Sequence, residues 1–148
     1  LGLVFPGWKA FAGHTVALCL FAAVMMTRGD HLVAHLLPDM ALGTYPIAQG
    51  TPLYFFDLFC GLIIVAVSEE VLSRGLAYAA LTGLWGRRPV RVFLVSAALF
   101  ALLHWSGGPR SMTTAFLFGL VFMATPWRTG SVLPPTVAHY VADLIAFW

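Results

Sequence analysis

The sequence predicts an all-α protein, a polytopic transmembrane bundle of about five hydrophobic segments with a polar site inside it. Hydrophobic residues make up 60% of the 148 residues and charged residues only 9%, whereas an ordinary soluble domain has about 25% charged residues. A chain this apolar cannot cover its own surface with polar groups. Tryptophan prefers the headgroup level of a bilayer, and all five tryptophans fall at predicted segment ends: Trp8, Trp85, Trp105, Trp127 and Trp148.

Five stretches come near the roughly 20 apolar residues that a helix needs to cross a bilayer, and they are about 8–27, 53–85, 92–105, 112–127 and 134–148. The last three are short for complete spans, so we expect some of their ends to be buried in protein or in thinned bilayer. We treat residues 1–148 as a single membrane domain. Within it, 8–52 form an N-terminal segment with an external loop that contains a short interfacial helix, and 53–148 form the core that carries the ionisable groups.

Charge and cysteine content exclude several classes of function. The net charge is only +2, and Lys and Arg are scattered, so there is no basic stripe of the kind that binds nucleic acid. Cys19 and Cys60 each lie in an apolar run, and two such residues make no disulfide framework. The sequence therefore directs attention to the few ionisable groups inside the apolar segments.

Three charged residues, Glu69, Glu70 and Arg74, lie well inside the second segment. Such a residue at mid-helix costs about 2.5–3.5 kcal/mol to insert, so it normally faces a protein interior or a water-filled pocket. Glu70 and Arg74 are four residues apart, so they share a helix face and can pair. Glu69 points about 100° away, which leaves it free to meet another helix. A purely structural ion-pair cluster is the alternative interpretation of these three residues.

Two further polar groups lie on the later segments. His104 follows Phe100 by one helical turn on the third segment, where an interfacial or hydrogen-bonded histidine is the alternative to a catalytic one. His139 and Asp143 are four residues apart on the fifth segment and share one face. Asp143 could orient His139, or both side chains could contact a water molecule or a metal ion.

Together, these groups place carboxylates and imidazoles on three apolar helices that must pack closely. Carboxylate and imidazole around one water molecule can activate it for amide hydrolysis, because one group takes the proton while others stabilise the oxyanion. The same set could hold a divalent metal that lowers the pKa of a bound water.

Three short motifs in this order resemble those of a known family, the CAAX-protease and bacteriocin-processing (CPBP, Abi-type) intramembrane endopeptidases. The family is defined by Glu-Glu-x-x-x-Arg, then Phe-x-x-x-His, then His-x-x-x-Asn or Asp. This chain has them at 69–74, 100–104 and 139–143, each on a hydrophobic segment. Each motif alone is weak, but the three in order are a strong signal, and the resemblance covers roughly 53–148.

The resemblance implies a role for each matching residue. Glu69 corresponds to the family's general base, which acts with His104 on the attacking water. His139 and Asp143 correspond to the pair that stabilises the oxyanion. We therefore expect an endopeptidase that cuts a membrane-associated protein or peptide.

The other motif residues, Glu70 and Arg74, correspond to groups that support the site. The family is described both as metal-dependent and as a glutamate protease, so a divalent metal such as zinc is the one cofactor that the resemblance leaves open. Its candidate ligands are Glu69, His104 and His139.

The last motif indicates something about the substrate, and the resemblance indicates where in the cell the protein is located. Prenyl-protein proteases of the family usually carry Asn where this chain has Asp143, so the resemblance does not imply a prenylated substrate. We expect an integral protein of the cytoplasmic (inner) membrane of a prokaryote, with the lipid bilayer and a membrane-associated substrate as its partners and no nucleic acid.

Two other functions stay open at this point. A non-catalytic immunity or scaffold protein would use the same polar groups structurally. A proton-coupled transporter would use them as a relay, since chains of Glu and His across a bilayer conduct protons. A hydrolase needs Glu69, His104 and His139 around one cavity, whereas a relay needs them strung along a path between the two faces.

Overall fold

The computed structural model describes residues 2–42 and 49–148, with the side chain of Asp30 left out. Every regular element in these residues is helical, and one isolated β-bridge joins Gly2 to Ser131. The all-α prediction is thus confirmed. In chain order the α-helices are α1 (Trp8–Val24), α2 (Asp30–Leu36), α3 (Pro52–Phe56), α4 (Leu62–Glu70), α5 (Ala77–Trp85), α6 (Pro89–Leu103), α7 (Gly108–Phe122), α8 (Ala124–Thr129) and α9 (Leu133–Phe147).

Wider π-helical turns connect several of these helices into longer helical runs. They are Met25–Gly29 between α1 and α2, Asp57–Gly61 between α3 and α4, and Val71–Leu76 between α4 and α5. A 3₁₀ turn, Trp105–Gly107, leads from α6 into α7. Such π-helical turns are rare and frequently lie at functional sites.

Local sequence explains where the helices begin and end. Proline occupies the first turn of α3, α6, α7 and α9, where its missing N–H costs nothing. The Thr51 side chain caps α3 by accepting a hydrogen bond of 3.2 Å from the backbone N–H of Tyr54. Gly86 and Gly130 follow α5 and α8 with positive φ angles of 68° and 70°, the backbone geometry that favours glycine after a helix.

The bundle of five membrane spans is not confirmed. In the described part of the chain, one helix, Trp8–Leu36, is long and apolar enough to cross a membrane. A second candidate is the pair Pro89–Leu103 and Trp105–Thr129, whose two arms are bent by 66° relative to each other. The predicted third and fourth segments are the two arms of this bent pair. Gly107 and Gly108 lie at the break, and Gly108 has a φ of 73°, so the backbone turns there instead of continuing straight.

The predicted external loop starts later than the sequence suggested. We expected the first helix to end near residue 27, but it continues through α2 to Leu36. Residues 30–36 contain no proline, and Pro38 then restricts its predecessor to extended backbone. The remainder of the predicted loop includes residues 43–48, which lie outside the described residues.

The core lies where α1, α6, α7 and α9 meet. Its buried residues are Leu18, Ala22, Phe100, Ala115, Phe118, Phe122, Ala138 and Ala142. A smaller cluster joins residues 54–62 to α9, with Tyr54, Leu58 and Leu62 packed against Tyr140 and Leu144. Large apolar side chains such as Leu20, Ile64 and Leu102 are exposed on the outside, as expected for a protein whose surface contacts lipid.

The close approach of α6 and α7 depends on Gly119. A Cβ atom at this position would lie 2.7 Å from the Cα and 2.9 Å from the Cβ of Ala97, so no side chain fits without moving one helix. By contrast, a Cβ at Gly83 in α5 would meet nothing within 4 Å.

We therefore expect Gly119→Ala to destabilise the protein by about 1–3 kcal/mol through overpacking. Gly83→Ala is the matched control, because alanine is favoured over glycine by about 1 kcal/mol in a helix interior and has open space there. Thermal unfolding of both variants in detergent measures the difference. A Gly119→Ala protein as stable as the Gly83→Ala protein would show that this helix contact is not tight.

Candidate active site

Three separate helices bring the predicted site residues together. Glu69 and Glu70 end α4, and Arg74 lies in the π-helical turn that follows. His104 comes directly after α6, and His139 lies in the second turn of α9. The polar residues of all three motifs therefore meet inside the bundle.

Glu70 is the centre of a buried chain of polar contacts. Its Oε1 atom lies 2.9 Å from Nη1 of Arg74 and 2.8 Å from Nδ1 of His139. The Glu70 side chain is 0% exposed and that of Arg74 is 1% exposed. The guanidinium carbon of Arg74 also lies 3.8 Å from the centroid of the Phe100 ring, a cation–π distance. One carboxylate oxygen thus joins two helices of the bundle.

Glu69 lies on the wall of the cavity and faces two imidazoles. Its Oε2 atom lies 3.9 Å from Nε2 of His104 and 3.7 Å from Nε2 of His139. Glu69 and His104 are 28% and 30% exposed, so they are accessible where Glu70 is not. These distances exceed direct hydrogen bonds, and they suit contacts bridged by one water molecule.

The hydrogen bonds of the two imidazoles define their tautomers. Nδ1 of His104 lies 3.0 Å from the carbonyl oxygen of Phe100, which can only accept, so Nδ1 carries the proton. Nδ1 of His139 likewise donates to the Glu70 carboxylate at 2.8 Å. In each neutral ring the unprotonated nitrogen is then Nε2, the atom nearer to Glu69.

Asp143 does not orient the His139 ring by a hydrogen bond, which was one of the two options that its spacing suggested. Its Oδ1 atom lies 3.8 Å from Nε2 of His139, too far for a hydrogen bond. Glu70, on another helix, makes the bond that orients the ring instead. Sequence spacing could not show the contact between Glu70 and His139, because spacing reports only neighbours within one helix. The one signal in the sequence was that a glutamate buried in an apolar segment, such as Glu70, needs more than one polar partner.

A cavity of about 850 Å³ opens beside these groups. Glu69, His104, His139 and Asp143 all lie on its wall. The wall also includes apolar side chains and further polar residues, among them Ser106 and Arg110 at the α6–α7 corner. The volume is that of a pocket for a small molecule or a short peptide segment.

Metal coordination is not supported by the geometry of the described residues. Within that part of the chain, no group of three or more His, Cys, Asp or Glu side chains is arranged to hold a metal ion. Glu69, His104 and His139, the candidate ligands from the sequence, therefore do not form such a group in this structure. The chemistry below uses only groups of this chain and water.

Comparison with known proteins identifies the family. A model of the type II CAAX prenyl endopeptidase Rce1-like family matches residues 51–145, which is more than half of the chain and includes all three motifs. No curated protein and no solved structure matches. The chain therefore belongs to the Rce1-like family of type II CAAX prenyl endopeptidases, a family of membrane proteases.

Proposed function

We propose that this chain hydrolyses a peptide bond of a membrane-associated protein or peptide inside the helical bundle, using a water molecule activated by Glu69 and His104. The observation that carries the proposal is the position of Glu69, whose Oε2 faces the Nε2 atoms of two histidines at 3.9 and 3.7 Å. Oε2 of Glu69 is itself buried and accepts no hydrogen bond from any described residue, so it is an unsatisfied acceptor of the kind that an enclosed water molecule satisfies.

The attack step follows from these positions. A water molecule that bridges Glu69 Oε2 and His104 Nε2 meets two acceptors, because Nδ1 of His104 already carries the ring proton. Glu69 takes one proton as the water oxygen bonds to the carbonyl carbon, and the positioned base contributes about 10²–10⁴ in rate. The proton then passes to the leaving amine as the C–N bond breaks, which regenerates the carboxylate.

The tetrahedral intermediate needs hydrogen-bond donors for its oxyanion. His139 can supply one from Nε2 when the ring is doubly protonated, since Nδ1 donates to Glu70 in either case. Three carboxylates surround this ring with one guanidinium, so a positive charge on His139 offsets part of the local negative charge. Asp143 lies beside the same nitrogen and can donate only in its acid form. We propose that this pair stabilises the oxyanion.

Glu70 and Arg74 act on the site through His139 rather than on the substrate. The carboxylate fixes the ring by a 2.8 Å hydrogen bond, while Arg74 balances the buried charge. Both side chains are enclosed, which supports a positioning role. A proton relay would need these groups spread between two faces of the protein, and their arrangement around one cavity favours hydrolysis.

The substrate and the location complete the proposal. The name of the family describes cleavage at CAAX termini, and we propose that this chain also cuts near such a C-terminus in a membrane-associated protein or peptide. The exposed apolar surface and the bent helix pair support a bundle of several membrane-inserted segments. We propose the cytoplasmic (inner) membrane of a prokaryote as its place.

The first test is Glu69→Gln, which keeps size and most hydrogen bonds but removes the base. We expect peptide hydrolysis to fall by about 10²–10⁴ with unchanged folding, measured in detergent with a membrane-peptide substrate and by thermal unfolding. Asp57→Asn, twelve residues earlier in the same helical run, is the matched acid-to-amide control and should retain activity. Full activity in Glu69→Gln would end the proposed mechanism.

The second test concerns the buried ion pair. Arg74→Met leaves the Glu70 charge without its cation in an enclosed position, so we expect a loss of about 3–5 kcal/mol in stability. Arg91→Met, at an exposed position of α6, should change stability by less than about 0.5 kcal/mol. Chemical or thermal unfolding in detergent compares the two. Equal stability of both variants would contradict the claim that the buried Glu70 carboxylate needs Arg74 as its partner.

The third test is removal of metal. Because the described residues offer no group that holds a metal ion, we expect the purified protein to keep its activity after incubation with EDTA or 1,10-phenanthroline. The measurement is the initial rate before and after chelation. Loss of activity that zinc restores would instead assign Glu69, His104 and His139 as metal ligands.

A further inference from the structure

We infer that Arg110, on the wall of the same cavity as Glu69, binds the C-terminal carboxylate of the peptide substrate. This inference rests on the proposed function and adds a residue that determines which peptides are cut. It assigns Arg110 a task in specificity and none in the bond-breaking step.

The first support is location. Arg110 lies on the wall of the same cavity as the Glu69 cluster, and it stands in the first turn of α7, close to the positive end of that helix. Among the described residues of that wall, Arg74 is the only other Lys or Arg, and it is buried against Glu70. An anionic group that enters the cavity therefore meets one accessible guanidinium.

The second support is the way Arg110 is held. Its Nε atom donates to the carbonyl oxygen of Leu37 at 2.8 Å, and Nη2 donates to that of Ala34 at 3.2 Å. These bonds to the end of α2 fix the plane of the guanidinium. Arginine has five N–H donors in total, so three remain after these bonds. A fixed arginine with free donors is well suited to a carboxylate.

The third support is the present neighbour of those donors. Oδ2 of Asp39 lies 3.6 Å from Nη1 of Arg110, and the Asp39 side chain is 71% exposed whereas that of Arg110 is 32% exposed. An exposed pair at this distance contributes little free energy. Asp39 thus shows that the position accepts a carboxylate, and it holds the place weakly enough for a substrate terminus to replace it.

The fourth support is the direction of charge along the cavity. Glu69, Glu70 and Asp143 gather around His139, and they repel a terminal carboxylate. Among the described residues, Arg110 pairs with the exposed Asp39 rather than with that acidic group, and it attracts the carboxylate. A peptide with a free C-terminus is therefore oriented with its carboxylate at Arg110 and its upstream part near Glu69.

The test compares two probes that differ only at the terminus. They are a fluorogenic peptide with an S-farnesyl cysteine followed by three residues, made as the free acid and as the C-terminal amide. For the parent protein we expect kcat/KM to be about tenfold or more higher for the acid, as one charge-assisted hydrogen bond provides. Arg110→Gln should reduce this ratio to about 1 by raising KM for the acid, with kcat/KM for the amide unchanged.

Two further variants separate specificity from folding. Arg28→Gln, at an exposed arginine just before the N-terminus of α2, should keep the parent ratio. Asp39→Asn removes the internal competitor and should lower KM for the acid alone, which tests the inference even if Arg110→Gln does not fold. Equal cleavage of acid and amide by the parent protein would overturn the role of Arg110. Absence of cleavage of both probes would instead overturn the proposed function.

Discussion

The buried carboxylate of Glu70 is the constraint on which the rest of the site depends. An ionised carboxylate without partners cannot be buried at reasonable cost, and Glu70 meets this demand with one oxygen that contacts both Arg74 and His139. The first contact is within its own helical run, and the second reaches α9. The docking of α9 on α4 is therefore tied to the orientation of a single imidazole, so that an incorrect packing would leave Glu70 unsatisfied.

The adjacent glutamates have separate tasks because consecutive residues on a helix point about 100° apart. Glu70 faces the interior and is enclosed, while Glu69 faces the cavity and reaches Nε2 of both histidines. His139 connects the two, since its Nδ1 contacts the buried carboxylate and its Nε2 the accessible one. The structural demand of one glutamate thus fixes the orientation of the ring that faces the other.

Sequence spacing predicted the contacts within one helix and missed those between helices. The Glu70–Arg74 pair follows from a separation of four residues. The bond from Glu70 to His139 does not, because no periodicity reports which faces of two distant segments meet. The same limit applies to the prediction of the apolar segments. Hydropathy located them, but it could not show that α1 continues to Leu36 or that α6 and α7 form a pair bent by 66°.

That bend adds polar groups to the wall of the cavity. A straight membrane helix satisfies its backbone internally and presents only side chains, whereas the break after α6 places polar groups at the cavity wall. The backbone at the break still has partners, because the Gly107 N–H donates to the His104 carbonyl at 3.0 Å and the Leu42 N–H to that of Ser106 at 2.8 Å. His104 stands at this break and Arg110 just beyond it, so the departure from straight spans brings the histidine that faces Glu69 and a cation onto one wall.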